Sequence, residues 1–362
     1  MKSNKPKIAV IGLKGLPAFG GAASVGENII EQLKDKYDFT VYSVSSHTDL
    51  KTGDYNGYNQ IVFNSFRSKK LNALSYYIKS MISVLFGGYE LVHLHHRDAA
   101  FIIPFLRLRA KVILTTHGMV LTKKWVRFKR LFYLQDRFFI GFANRITTVS
   151  LKDFRYVTQK LKSENKVTYI PNGVNLQKLS KNERNGTIVF SAGRIVPDKG
   201  CHTLLEALIQ INFQEKVLII GDLNQMPTYK NKLENLANQL NCVEFKGLIK
   251  DKVILNQYIS VAKLFVYPSE IESMSMMMLE VASLKTPMIC ANIPENQDVF
   301  SENEVLYFEN CNSYDLSRKI KWAQANYLTM QGKAEKSYDK LRNDYQWLEI
   351  AEEYYKIYNQ LT

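Results

Sequence analysis

The chain has few cysteines and no long apolar run. Its four cysteines are scattered along 362 residues without the spacing of a zinc site. We therefore expect free thiols and a reducing, cytoplasmic environment. No apolar run approaches the roughly 20 residues that a helix needs to cross a bilayer. The first residues lead directly into a strand pattern rather than into a signal peptide.

Two nucleotide-binding motifs are also missing. The chain contains neither the G-x-G-x-x-G turn of dinucleotide-binding proteins nor the G-K-[ST] end of a P-loop. Their absence argues against a nicotinamide-dependent oxidoreductase and against a P-loop NTPase. A looser glycine-rich turn, Gly12–Gly21, follows the first strand pattern and offers backbone N–H groups to a phosphate. Its alternative is a purely structural turn between strand and helix.

Acidic residues are scarce in the first half. Residues 1–180 carry 28 Lys and Arg against 11 Asp and Glu, a net charge of +17, whereas residues 181–362 carry 20 against 23, a net charge of −3. The excess predicts an anionic partner, which a membrane surface, a diphosphate lipid or a nucleic acid would supply. Because no nucleic-acid-binding motif accompanies the charge, we do not expect nucleic acid to be the partner.

Strand and helix patterns alternate along the whole chain. The alternation stops at a polar stretch, residues 172–186, and then begins again. It predicts an α/β protein with two Rossmann-like, doubly wound domains, residues 1–175 and 176–344. Residues 345–362 have the pattern of one amphipathic helix, which we expect to cross back to the first domain.

Two carboxylates and two cations follow strand patterns in the second half. Glu272 and Glu280 come after one strand, and Arg194 and Lys199 come after an earlier one. Cations bind a diphosphate and carboxylates accept hydrogen bonds from sugar hydroxyls, so this set suits a nucleoside-diphosphate-sugar. The neighbouring Gly193 and Gly200 are expected to let the backbone approach a ligand. The alternatives are surface charges and, for Glu280, a buried salt bridge.

Histidines mark the ends of two strand patterns in the first half. His117 follows one of them, and His93, His95 and His96 follow the strand before it. The carboxyl ends of parallel strands are where open α/β sheets bind ligands. The alternation of His93 and His95 is explained by strand geometry, so we expect no metal site.

A basic and aromatic segment follows His117. It fits a helix lying on anionic lipid or a site for an acceptor diphosphate, and it equally fits a solvated helix whose Trp is in the core. Its residues are Lys123, Lys124, Trp125, Arg127, Lys129 and Arg130.

These motifs, in this order, resemble those of the family 4 retaining glycosyltransferases with the GT-B fold. The family signature P-S-x-x-E-G-F-G-x-x-x-x-E-A…G-x-P is matched at Pro268-Ser269, Glu272, Glu280 and Thr286-Pro287. Its G-R-x-x-x-x-K-G is matched at Gly193-Arg194 and Lys199-Gly200, and its Y-I-P-N-G-V at 169–174. The first half is similar to bacterial rhamnosyltransferase-like enzymes of surface polysaccharide synthesis, through Gly15-Leu16-Pro17-Ala18, Gly20-Gly21, His93-Leu94-His95, Thr116-His117-Gly118 and Lys124-Trp125.

The resemblance implies roles for the matching residues. Arg194 and Lys199 would neutralise the departing diphosphate, Glu272 would contact the donor sugar, and His117 would lie near its anomeric carbon. The implied donor-binding residues are Gly20, Gly21, Gly193, Gly247, Leu248, Ser273, Met274, Ser275, Met276 and Glu280, with Glu280 on the ribose and Gly247 and Leu248 near the base.

The chain departs from the family pattern at three places. Ser273-Met274-Ser275 stands where the family has G-F-G, and Lys285 stands where it has the glycine before x-Pro. Gly20-Gly21 is followed by Ala22-Ala23 instead of x-Glu. These changes bear on the identity of the donor sugar more than on the fold.

The resemblance implies a GT-B enzyme, with two domains facing a cleft, that transfers a sugar with retention of configuration. The donor would be a UDP-, dTDP- or GDP-sugar and the acceptor a lipid-linked saccharide of capsule, O-antigen or exopolysaccharide synthesis, with rhamnosyl transfer among the possibilities. No cofactor is implied, and no metal, since the chain has no D-x-D. The enzyme would lie at the inner, anionic face of the cell membrane. The alternatives are a non-catalytic protein that binds sugar nucleotides or lipids, an NAD-dependent oxidoreductase and a phosphorylase.

Overall fold

The computed structural model describes residues 5–18, 21–119, 129–177 and 184–362, with Lys69 and Lys129 described by their backbone alone. Contacts divide the chain into two units. Unit 1 comprises Met1–Asn172 and Trp347–Thr362, and unit 2 comprises Gly173–Gln346.

Unit 1 is built on a sheet in which every neighbouring pair is parallel except the β3–β4 hairpin. The strand order is β3-β4-β2-β1-β5-β6-β7-β8. The strands are β1 (Lys7–Lys14), β2 (Asp38–Val44), β3 (Gly53–Tyr55), β4 (Tyr58–Phe63), β5 (Leu91–His95), β6 (Lys111–Thr116), β7 (Arg145–Thr148) and β8 (Val167–Tyr169). The central strands are apolar runs buried on both faces, as is usual for parallel sheets.

Helices connect these strands and cover the sheet. They are α1 (Gly21–Leu33), α2 (Lys69–Gly87), α3 (Ile103–Leu106), α4 (Lys129–Ile140) and α5 (Leu151–Arg155), with a 3-10 turn at Arg97–Ile102 before α3 and a π-helical turn at Tyr156–Lys160. Side chains of α2, of the 3-10 turn, of α3 and of α4 share one hydrophobic core with β1, β5 and β6. These elements therefore cover the same face of the sheet.

Unit 2 has a fully parallel sheet with strand order β11-β10-β9-β12-β13-β14. The strands are β9 (Ile188–Arg194), β10 (Val217–Asp222), β11 (Val243–Gly247), β12 (Leu264–Tyr267), β13 (Met288–Asn292) and β14 (Leu306–Glu309). The helices are α6 (Cys201–Gln210), α7 (Pro227–Ala237), α8 (Lys252–Ser260), α9 (Met276–Ser283), α10 (Pro294–Gln297), α11 (Ser313–Ala325) and α12 (Tyr327–Asp344). The chain first builds outward from β9 to β11 and then continues on the other side of β9, which is the doubly wound Rossmann order.

The last helix, α13 (Trp347–Asn359), belongs to unit 1. It contacts α1, and its Trp347, Tyr354 and Tyr358 side chains are fully buried there. The Tyr358 ring lies edge-on to that of Tyr37, with centroids 5.4 Å apart. The predicted α/β class, the two doubly wound sheets and the return of the last helix are thus confirmed. Among the described residues, no helix has the length and apolar character that spanning a membrane requires.

A partly buried arginine, Arg184, ties the residues just before β9 to the interior of unit 2. The Arg184 guanidinium donates five hydrogen bonds, to the carbonyls of Ser260, Ala262, Leu284 and Lys285 and to the hydroxyl of Thr286. Burial lowers its pKa. Arg184 lies in the polar stretch, residues 172–186, for which the sequence predicts neither a strand nor a helix.

We expect Arg184→Met to lower the free energy of unfolding by about 3 kcal/mol, because buried carbonyls that lose a charged donor keep their desolvation cost. Arg342→Met is the matched control. Arg342 is exposed and pairs with Asp339 at 3.3 Å, a contact worth at most about 1 kcal/mol. Denaturant unfolding of both variants tests this, and equal losses would contradict the anchoring role.

Candidate functional site

The candidate site in unit 2 lies where the strand order reverses. β9 pairs in parallel with β12, with Ile188 opposite Leu264 and Val189 opposite Phe265. Their carboxyl ends therefore meet at one edge of the sheet, which is the place where doubly wound sheets bind ligands. The loop after β9 carries Lys199, and the loop after β12 carries Glu272.

The structure brings these two charges into contact. Lys199 Nζ lies 2.5 Å from Glu272 Oε1. The same oxygen accepts a hydrogen bond of 2.6 Å from Ser269 Oγ and another from the Tyr267 hydroxyl. Glu272 is only 12 % exposed, so these donors compensate for its burial. Its second oxygen, Oε2, accepts no hydrogen bond from a described residue. It is therefore available to accept one from a ligand.

The two loops are tied together at a second point. The backbone of Gly200 has φ +68°, and a Cβ on it would lie 2.0 Å from the carbonyl oxygen of Pro268. In addition, the N–H of Glu270 donates to the carbonyl of Asp198 at 2.9 Å. Gly200 was expected to admit a ligand; instead it admits the backbone of the neighbouring loop.

Gly193 and Arg194, at the end of β9, are exposed. A Cβ on Gly193 would meet no atom within 4 Å. Arg194 forms no hydrogen bond or ion pair with any residue that the structure describes. A cation without a protein partner beside open space at the switch point is suited to binding an anion.

The segment after Glu272 leads into α9. Ser275 caps this helix, with its Oγ accepting from the N–H of Met278 at 3.3 Å. Met274 is buried and Met276 is half-buried, in agreement with core packing. The Ser273 hydroxyl is buried, and within the described part of the chain it has no hydrogen-bond partner. No hydrogen bond within the described residues therefore offsets the cost of burying this hydroxyl.

Glu280 lies on α9 and pairs with Lys252 on α8, at 2.7 Å between Nζ and Oε1. Its side chain is 18 % exposed, so it is less buried than its apolar neighbours in the sequence suggest. Gly247 ends β11 with φ +69° and open space around it, and Leu248 beside it is nearly half-exposed.

In unit 1 three histidines form a cluster, in which His93 and His95 are buried and His117 is partly buried. His93 and His95 lie within β5 rather than after it and point to the same face, with ring centroids 3.9 Å apart. His117 stacks on His95, and His95 Nδ1 and His117 Nε2 are 3.1 Å apart. His93 is hydrogen-bonded through Nδ1 to Tyr358 of α13 and through Nε2 to Thr115, each at 2.6 Å.

Burial keeps these rings neutral. It lowers the pKa of His93 and of His117 to about 3, and it holds the pKa of His95 well below its usual value, with the neighbouring histidines adding to each shift. Among the described residues, no group of three His, Cys, Asp or Glu side chains is arranged to hold a metal ion.

Two further polar residues, Asp153 and Arg97, hold Met119 just after His117, and neither was among the predicted site residues. Asp153 Oδ1 accepts from the N–H of Met119 at 3.1 Å, and Arg97 donates to the Met119 carbonyl at 3.0 Å. Arg97 also pairs with the buried Asp136 at 2.7 Å. Burial raises the pKa of Asp153 to about 6. Met119 is thus held through both its N–H and its carbonyl.

Part of the predicted site lies outside the described residues, namely Gly20, Lys123, Lys124, Trp125 and Arg127. Lys129 is described by its backbone alone, in the first turn of α4, and Arg130 is exposed on that helix. Gly21 begins α1 with φ +58° and nothing within 4 Å of an added Cβ. In contrast, Gly12 and Gly15 of the same turn pack closely against the carbonyls of His95 and His47.

Comparison with known proteins assigns the family. A family described as glycosyl transferases group 1 matches residues 175–342, and glycosyltransferase family 4 matches residues 19–178. HepE from Anabaena, solved in complex with UDP and glucose, is similar over 98 % of this chain and 100 % of its own, with a TM-score of 0.79 and 17 % identity. The chain belongs to the GT-B glycosyltransferases.

Two curated relatives of this protein are also named as glycosyltransferases. An uncharacterised glycosyltransferase of Methanocaldococcus jannaschii is 26 % identical over 84 % of each chain. The capsular polysaccharide biosynthesis glycosyltransferase CapM of Staphylococcus aureus is 25 % identical over 56 % of this chain and 62 % of its own.

We expect Gly200→Ala to destabilise the glycosyltransferase by at least about 2 kcal/mol, since the left-handed backbone and the Pro268 carbonyl both oppose a Cβ. Gly193→Ala is the control, with an expected change within about 0.5 kcal/mol. Thermal unfolding distinguishes them. If the two variants melted alike, the loop contact would not be the constraint that we infer.

The histidine cluster predicts a loss of stability in acid. Because the folded-state pKa of His93 is lowered, the unfolded chain binds the extra proton between about pH 6.5 and pH 3. The stability that the neutral ring provides is present above that range and is lost as the pH falls, by up to about 1.4 kcal/mol per pH unit. His93→Gln should flatten this dependence. The raised pKa of Asp153 has the opposite effect, since it increases stability as the pH falls. This contribution is the same in the original protein and in His93→Gln.

The measurement is the free energy of unfolding between pH 7 and pH 4, with Ser80→Ala as the control because Ser80 is buried in the same unit and its hydroxyl does not titrate in this range. The control should retain the slope of the original protein. An unchanged slope in His93→Gln would mean that this ring does not govern the acid sensitivity.

Proposed function

We propose that this glycosyltransferase moves a sugar from a nucleoside-diphosphate-sugar to a lipid-linked saccharide of a surface polysaccharide, with retention of configuration and without a metal. The observation that carries the proposal is the arrangement at the switch point of unit 2. There an exposed Arg194, which pairs with no described residue, lies at the end of β9, and the Lys199–Glu272 pair joins the two adjacent loops.

Arg194 and Lys199 are assigned to the diphosphate. A guanidinium binds phosphate oxygens with two parallel hydrogen bonds, and an ammonium adds a compact charge. Glu272 holds Lys199 through Oε1, which leaves Oε2 to accept a hydrogen bond from a donor sugar hydroxyl. Helix α9 begins four residues after Glu272 and is capped by Ser275. Its N-terminus adds partial positive charge to this part of the site.

The chemistry that these groups support is departure of the nucleoside diphosphate. As the bond between the anomeric carbon and the phosphate oxygen breaks, the electron pair goes to the phosphate oxygen and the sugar becomes oxocarbenium-like. Fixed cations stabilise the charge that develops on the leaving group. The acceptor hydroxyl then attacks from the same face and gives its proton to the departing phosphate, which accounts for retention.

The remaining donor contacts follow from the same unit. Glu280 accepts hydrogen bonds from the ribose hydroxyls in place of its present partner Lys252. Leu248, nearly half-exposed after Gly247, packs against the base. In unit 1, His117 is assigned to the donor sugar. Because its ring is neutral, it forms hydrogen bonds without adding charge.

The relatives support the substrate classes. HepE, which shares the fold, was solved with UDP and glucose, and this favours a nucleotide-sugar donor. The name of the Staphylococcus aureus relative favours a polysaccharide product. The net charge of +17 in residues 1–180 favours a lipid diphosphate acceptor at an anionic membrane surface. Rhamnosyl transfer, and the choice among UDP, dTDP and GDP, are parts of the proposal that a donor screen decides.

A non-catalytic binding protein is the second candidate. The observation in its favour is that serines replace two glycines beside Glu272, with the Ser273 hydroxyl buried where close backbone approach is expected. Such a protein would bind the donor without consuming it.

We expect one nucleoside-diphosphate-sugar from a panel to raise the melting temperature. A ligand at 100 times its Kd stabilises a protein by about 2.7 kcal/mol. Arg194→Ala should lose most of this shift and slow turnover on the order of 100-fold or more, equivalent to about 3 kcal/mol of barrier. Arg318→Ala, which removes another exposed arginine of unit 2, is the control and should behave like the original protein.

Each other result identifies a different function. A shift with nicotinamide cofactors alone would indicate an oxidoreductase. Donor binding without turnover in the presence of lipid-linked acceptors would indicate the binding protein, and activity with free phosphate would indicate a phosphorylase. A donor shift that Arg194→Ala retains would contradict the assignment of the diphosphate site.

A further inference from the structure

Helix α2 carries apolar side chains on two faces. One face is buried in the core of unit 1 through Tyr76, Tyr77 and Val84. Another row, at spacings of three and four residues, runs along the solvent side for about four helical turns. These side chains are 37 % to 85 % exposed: Leu71, Leu74, Ile78, Ile82 and Phe86. A helix that needed to face only core and water would place polar residues there.

Helix α4 has the same property. Leu131, Leu134 and Phe138 are about 60 % exposed and lie on one side of the helix, and Phe142, just beyond its end, continues the row. The buried side of α4 holds Ile140 in the core and Asp136 in its contact with Arg97.

These two rows lie on neighbouring elements of one surface. α2 contacts α3, and α3 contacts α4. All three pack on the same face of the sheet, so their outer sides point away from it together. Between the rows, Phe105 and Leu108 are also more than half-exposed. We call this surface, formed by the outer sides of α2, α3 and α4, the apolar face. Isolated exposed apolar side chains are ordinary, but a continuous set this large marks a site of interaction.

Cations predominate in the stretches that carry the apolar face, with Glu90, Asp98 and Asp136 bordering them. Residues 55–89 contain four Lys and Arg, residues 99–135 contain eight, and neither stretch contains Asp or Glu. Described cations of these stretches and of α4 are exposed: Arg67, Lys70, Arg107, Arg109, Arg130 and Arg137. A second copy of the chain would set these cations against each other with no carboxylate of these stretches to pair them. An anionic bilayer provides an apolar interior and phosphates at its surface, and it matches both properties.

We propose that the apolar face docks unit 1 on the surface of an anionic membrane. The apolar side chains enter the boundary between head groups and acyl chains, and the cations lie at the level of the lipid phosphates. This inference rests on the proposed function in one respect, since a lipid-linked acceptor is the reason for the enzyme to lie there. It places the contact on α2 and α4, whereas the sequence points only to residues 123–130.

The test is cosedimentation of the full chain with vesicles. One set contains equal parts of phosphatidylglycerol and phosphatidylcholine, and the other contains phosphatidylcholine alone. We expect tight binding to the first set only, and we expect it to weaken as salt is raised, because exposed charges are screened. Equal binding to both sets, or binding to neither, would overturn the proposal.

Two double variants test the location. Ile78→Gln with Ile82→Gln alters α2, and Leu134→Gln with Phe138→Gln alters α4. Each should weaken binding on the order of tenfold or more, since each removes two side chains from the apolar contact. The matched control is Leu328→Gln with Leu348→Gln, which changes equally exposed leucines on α12 and α13 and should bind as the original protein does.

The outcomes separate docking from catalysis. Melting curves establish that each variant is folded, and the donor-induced shift is measured on the same samples. Weaker vesicle binding with an unchanged donor shift supports docking through the apolar face. If both double variants bound vesicles like the control but changed a dimer to a monomer in size-exclusion chromatography, the face would be a protein interface and the proposal would fail. If no donor raised the melting temperature of the original protein, that result would count against the proposed function alone.

Discussion

The close approach of Gly200 to the carbonyl of Pro268 is the constraint on which the site of unit 2 depends. It brings the loop after β9 against the loop after β12, at the one place where the strand order reverses. With the backbones held there, the Lys199 ammonium reaches Glu272. A side chain at position 200 would push the loops apart and separate the pair. The glycine thus contributes to the chemistry through geometry, without contact to any substrate.

Glu272 shows how the fold prepares a carboxylate for binding. Three donors converge on Oε1, so the side chain has one orientation before a ligand arrives. This reduces the conformational entropy that binding would otherwise cost. Arg194 is the opposite case, because it is exposed and has no described partner. A fixed acceptor and an available cation suit a ligand with a hydroxyl-bearing part and a diphosphate part.

Much of this could be predicted from the sequence. The alternation of strand and helix patterns indicated both sheets, and the loops after β9 and β12 were identifiable because glycine, proline and charge follow short apolar runs. The spacing of His93 and His95 placed them on one face of a strand. The partners could not be predicted: Tyr358 lies 265 residues from His93, and Lys252 meets Glu280 across two helices. Such contacts depend on how elements pack, which local pattern does not determine.

The two units handle charge in different ways, and physical chemistry explains both. The polar interior of unit 1 around β5 is kept neutral, since histidines, threonines and tyrosines form its hydrogen bonds and burial lowers the histidine pKa values. Apart from the Arg97–Asp136 pair and Asp153, the charge of unit 1 is spread over the surface, where it can attract a large anionic partner. Unit 2 concentrates opposite charges at the ends of two strands, where pairing offsets desolvation. A local arrangement of that kind selects a small ligand with both hydrogen-bond donors and anionic groups. A mostly cationic surface with apolar rows selects an extended partner.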